Sequence, residues 1–83
     1  FWATWCGPCM AKKPALVRTY ARVKARGVEV LGVCLDKADG RAAAVAACEK
    51  VGMTWPQAFD GLGTDGDVAK RYGIDAIPAA VLV

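Results

Sequence analysis

Histidine is absent from these 83 residues. Its absence removes cysteine–histidine nucleophilic dyads and the commonest metal ligand together. No stretch of about 18 consecutive apolar residues occurs, so the sequence holds no membrane-spanning helix. Charge of either sign is modest, with 11 Lys and Arg against 8 Asp and Glu, a net +3. No arginine-rich run with interleaved aromatics accompanies it, so nucleic acid is not an expected partner. There is no initiator methionine and no visible signal peptide. The chain opens in an apolar, strand-like run, Phe1-Trp2-Ala3, and stops in another, Ala79-Ala80-Val81-Leu82-Val83. The expectation is one domain over residues 1–83, truncated at both ends, with a strand missing upstream and a strand and helix missing downstream. A chain this short buries only a modest core.

Four cysteines are present. Cys6 and Cys9 are separated by two residues, follow the apolar run and precede a helical pattern. A cysteine at a helix N-terminus meets unpaired backbone N–H groups and the positive end of the helix dipole. Both favour thiolate over thiol, which predicts a lowered pKa for the first cysteine. Gly7 permits a tight turn, and Pro8 lacks the N–H that a first helical position would leave unpaired. The alternatives for the pair are a permanent disulfide or half of a zinc site. Motif and context favour a redox pair. A four-cysteine zinc site would need Cys34 and Cys48, which form no second C-x-x-C. Those two read as core thiols, the alternative being a second disulfide.

The pattern predicts a first helix over Met10 to Arg26. Leu16, Tyr20 and Val23 form its apolar face, Pro14 kinks it, and Gly27 ends it. Lys12 and Lys13 read as solvated lysines on a basic face. Val28 to Leu35 suits a parallel strand covered on both sides. A second helix is expected over Arg41 to Val51, with Val45, Cys48 and Val51 near one face and Gly52 ending it. Trp55 to Phe59 reads as a short edge strand, because Pro56 cannot donate to a ladder. Trp55 itself reads as packing. Asp67 to Tyr72 reads as a short helix stopped by Gly73, and a last strand follows Pro78. Asp60, Asp65 and Asp67 do not match calcium-loop spacing and read as turn and cap residues. This α/β alternation predicts a mostly parallel central sheet flanked by helices.

Trp5-Cys6-Gly7-Pro8-Cys9 resembles the active-site motif of the thioredoxin superfamily. With Phe1 to Thr4, Pro14, Leu16, the Gly32 to Asp36 strand end and Ile77-Pro78, the chain resembles the TlpA/ResA-like thiol-disulfide oxidoreductases. The resemblance implies a thioredoxin-like fold, Cys6 as nucleophile and Cys9 as resolving thiol. It implies a cis Ile77–Pro78 bond lying against the cysteines, and a substrate surface made of Trp5, Gly7, Pro8, Ile77 and Pro78, with Trp2 more buried. The implied partners are proteins carrying thiols or disulfides and an upstream dithiol that donates electrons, with no bound cofactor and no metal. The branch works outside the cytoplasmic membrane, some members reducing apocytochrome c, and any membrane anchor would lie outside these residues. Gly-Pro between the cysteines resembles the reducing members. An oxidase or isomerase, or a non-catalytic binding module, is the alternative. No Pro-x-x-x-Thr-x-x-Cys peroxidase pattern occurs. One departure stands out: Lys12 occupies a position where the branch often carries a proton-relaying Glu, which puts that relay in doubt.

Overall fold

The computed structural model describes residues 1–83. Helix α1 spans Gly7–Val23 and tightens into a 3₁₀ turn over Lys24–Arg26. Strand β1 is Gly32–Val33, helix α2 is Arg41–Val51, strand β2 is Gln57–Ala58 and helix α3 is Asp67–Arg71. Short 3₁₀ turns at Ala38–Gly40 and Gly63–Asp65 lead into α2 and α3. Gly27 and Gly52 end their helices at φ 83° and 80°, left-handed conformations that cost a residue with a Cβ. Helix α1 runs through Pro14. It begins three residues before the expected Met10, because Cys6 caps it. No helix is long and apolar enough to cross a membrane.

The sheet is built around residues 32–35. Strands β1 and β2 pair in parallel, Gly32 opposite Gln57 and Val33 opposite Ala58. Successive backbone N–H groups of a strand point to opposite edges. Gly32 and Cys34 therefore donate to Pro56 and Ala58 at 2.9 and 3.0 Å, while Leu35 donates to Trp2 at 2.7 Å. Trp2 returns a bond to Val33 at 3.0 Å and bridges Cys34 in parallel. The opening segment, β1 and β2 thus lie side by side in that order. Gly32 has a packing reason. A Cβ there would collide with the Gln57 side chain, which crosses β1 to accept a hydrogen bond from the Trp2 indole at 3.0 Å. The buried indole N–H is thereby satisfied.

Around these strands gather Trp2, Cys9, Tyr20, Cys34, Leu35, Met53 and Trp55, all in one core cluster. Tyr20 and Trp55 meet edge to face at 5.2 Å between ring centres, a preferred aromatic geometry. Three expectations need correction. Val28 and Leu31 are exposed, so only the C-terminal part of the apolar run 28–35 is sheet. Neither has a covering layer. On α2 the buried residue is Ala44, while Val45 faces solvent. The last strand does not form: after Pro78 the one backbone bond is from the Phe1 ammonium to the Ala79 carbonyl, at 2.9 Å. A strand needs a run of partner groups, and only Phe1 stands opposite.

Candidate active site

Cys6 is the N-cap of α1, in extended conformation at φ −89°, ψ 100°. Its Sγ accepts a hydrogen bond from the Cys9 N–H at 3.2 Å. This is the place where Ser or Asp oxygen usually satisfies an unpaired helix donor. Gly7 and Pro8 fill the first two helical positions, so Pro8 is second rather than first. Cys6 and Cys9 form a disulfide, with 5.2 Å between their Cα atoms. Such short spans are within the usual range for disulfides.

The Ile77–Pro78 bond is cis. Its loop brings the Ile77 carbonyl oxygen to 3.8 Å from Cys6 Sγ, across 71 residues of chain. A reduced Cys6 thiol can donate to that oxygen, while the Cys9 N–H and the helix dipole favour the thiolate. Trp5 is 66% exposed beside Cys6, whereas Trp2 is fully buried. Gly7, Pro8 and Pro78 are also exposed, and Ile77 is half-buried. Trp5, Gly7 and Pro8 thus flank the disulfide in sequence, and the Ile77 carbonyl approaches it from the far end of the chain. A groove of about 480 Å³ opens beside Trp5, between Thr4, Asp36, Lys37 and Gly63.

Two site features escaped the sequence reading. Asp36, 2% exposed, accepts hydrogen bonds from the Thr4 backbone N–H at 2.8 Å and from the Thr4 hydroxyl. It thereby anchors Thr4, two residues before Cys6. Its carboxylate packs so close to Gly40 that a Cβ there would sit 2.8 Å from it. The signal was weak: an Asp closing an apolar run, with its partner 32 residues away.

Lys13 corrects an expectation. It is not on the solvated face but 8% exposed, with its Nζ 5.0 Å from the centre of the Trp2 ring. That is cation–π distance. Burial lowers its pKa, opposed by the nearby Cys48 and Cys34 sulfurs. A signal existed. Cys9, Lys13, Leu16 and Tyr20 are spaced by four, three and four residues, which is one helix face. Lys12 remains exposed, as expected.

Cys34 is buried and Cys48 half-buried, and both are free thiols. Burial pushes Cys34 up to about 11, with the Asp36 carboxylate adding to the rise against its own backbone N–H. Burial also raises Cys48, against the Lys13 ammonium.

Residues 1–83 match the AhpC/TSA family throughout. The chain belongs to that family. Among curated relatives, the thiol-disulfide oxidoreductase ResA of Oceanobacillus iheyensis is 32% identical over all 83 residues, which cover 41% of its length. ResA of Bacillus subtilis is 29% identical over the same span, 44% of its length. A solved thiol-disulfide oxidoreductase from Bacteroides fragilis superposes with a TM-score of 0.80 at 33% identity, over 94% of this chain and 56% of that one. The fold is therefore thioredoxin-like, and the chain spans less than half the length of the curated relatives it matches.

Proposed function

We propose that this chain carries the redox centre of a thiol-disulfide oxidoreductase that reduces protein disulfides. The observation supporting this most directly is Cys6 Sγ capping α1 under the Cys9 N–H, with the Ile77 carbonyl beside it. Reduced Cys6 attacks a substrate disulfide as thiolate. One substrate sulfur leaves with the electron pair and takes a proton, and the other is held as a mixed disulfide. Cys9 then attacks Cys6, closing the Cys6–Cys9 bond and releasing the second sulfur. The substrate gains two electrons and the pair loses them. An upstream dithiol restores the pair.

Trp5, Gly7, Pro8 and Pro78 form the exposed surface for the substrate chain, and the backbone of Ile77 pairs with it as an added strand would. The branch resemblance supports an extracytoplasmic protein substrate. The test is the reduction potential of the Cys6–Cys9 pair, by equilibration against glutathione or dithiothreitol. We expect a value near or below about −250 mV, among reductants. A value near about −120 to −180 mV would instead make the protein an oxidant or isomerase. A pair that never equilibrates would be structural, and the catalytic reading would fall.

A further inference from the structure

Resting on that reading, we propose that Lys13 is a positioning residue for the resolving step, its buried ammonium serving as countercharge to the Cys9 thiolate. Cys9 presents the harder electrostatic problem of the pair. It is 1% exposed, yet it must lose its proton before it can attack Cys6. A thiolate in an apolar core is unfavourable without a nearby positive charge.

Lys13 is four residues further along α1, on the same buried face. Side chains at that spacing stand about 5–6 Å apart at Cβ, and helix side chains lean toward the N-terminus, so Lys13 leans back toward Cys9. The Trp2 ring holds the ammonium in place, 5.0 Å from its centre. The indole is itself held by Gln57 and by its bridge to Cys34. No buried side-chain nitrogen or oxygen lacks a hydrogen-bond partner, so the ammonium tip keeps contact with water at the core's edge. It can stay charged and still direct its field inward.

The other titratable groups facing Lys13 are Cys34 just after β1, Cys48 from α2 and the Phe1 amino group. Cys34 and Cys48 are both pushed toward the neutral thiol by burial. The anion that the reaction itself must create in this core is at Cys9. In the step, the Cys9 proton passes to water and the ammonium holds the thiolate. The Cys6–Cys9 bond then forms as the bond from Cys6 to substrate breaks, and the departing sulfur takes up a proton.

The decisive measurement is the Cys9 titration in a Cys6→Ser protein, followed by the ¹³Cβ resonance of cysteine. Cys6→Ser leaves Cys9 with no neighbouring active-site thiolate, as in the mixed disulfide. Lys13→Met keeps the apolar stem and removes the charge. It should raise the Cys9 midpoint by about one unit, an about tenfold loss of thiolate at neutral pH. Lys13→Arg should leave it near its starting value. In otherwise wild-type protein, Lys13→Met should slow release of the mixed disulfide about tenfold at pH 7 and converge with wild type at high pH.

An unchanged Cys9 midpoint overturns the proposal. So does a shift at Cys48 in its place, which would make Cys48 the partner, or a rate loss equal at every pH, which would make the role structural. Should Lys13→Met not fold, the Lys13 ¹⁵Nζ resonance in the Cys6→Ser protein reads the same coupling. It must move as Cys9 ionises, and its failure to move overturns the proposal. These titrations do not depend on redox activity. If the Cys6–Cys9 pair fails to equilibrate with glutathione while Cys9 and Lys13 still titrate together, the functional reading falls and the coupling stands.

Discussion

The molecule holds two pairs of cysteines, one at a helix N-terminus and one away from any. Cys6 and Cys9 sit at the start of α1, where a backbone N–H points at sulfur and exposed Trp5 and Pro8 border the pair. Cys34 sits just after β1 and Cys48 on α2, where burial favours the neutral thiol. The residue type is the same in all four places. What differs is whether the surrounding backbone and charge support a negative sulfur, and on our proposal this separates a reactive thiol from an inert one.

The largest test of that contrast compares one cysteine from each pair. Cys6→Ser should lower disulfide exchange by about three orders of magnitude or more, because the nucleophile is gone. Cys34→Ala should leave the exchange rate within about twofold, since it removes a small apolar group from the core. Both are read in a disulfide-reduction assay on folded protein. Loss of exchange in the Cys34 variant would break the comparison and bring the second pair into the chemistry.

Asp36 links the two environments. It anchors Thr4 ahead of Cys6 and lies beside Cys34. Asp36→Ala removes the acceptor from two Thr4 donors. A hydrogen bond to a charged group contributes about 1.5–3 kcal/mol. We therefore expect a stability loss of about 2–4 kcal/mol, read from urea unfolding, with slower exchange as the loop before Cys6 loosens. An unchanged unfolding midpoint would mean that Thr4 finds water as an equal partner and that the anchor is incidental.

Features set by local pattern were legible in the sequence. The helix ends at Gly27 and Gly52, α2 from Arg41 to Val51 and the Cys6/Cys9 placement ahead of a helix all depend on neighbours a few residues apart. The Ile77–Pro78 loop became legible only through resemblance, since an isolated X-Pro pair says little. Contacts set by distant residues were not legible. Val81 to Val83 look like a strand, but a strand requires a partner that composition cannot supply. Thr4 and Asp36 meet only once the sheet has formed. Lys13 reads as a surface residue by charge alone, but its place on the Cys9 face of α1 buries it. A long side chain can bury its methylene stem and keep its charged tip at the edge of a core.

The smallest expected effect concerns pH and the second pair alone. Cys34 is raised from the ordinary 9.0 to about 11, chiefly by burial. In the unfolded chain the thiol ionises near its ordinary value, while the folded protein still holds the proton. Between those values the unfolded state therefore binds fewer protons, and stability falls as pH rises. The contribution is complete below about pH 9 and lost by about pH 11, with a slope of at most one proton. Cys48 and other groups titrate in the same window, so the informative quantity is a difference. Urea unfolding of wild type and Cys34→Ala should give free-energy curves that run parallel up to about pH 9 and approach one another above it. Parallel curves throughout would show that the folded protein ionises Cys34 as readily as the unfolded chain does. The environment of the second pair would then not be hostile to a thiolate, and its silence would have to come from restricted access alone.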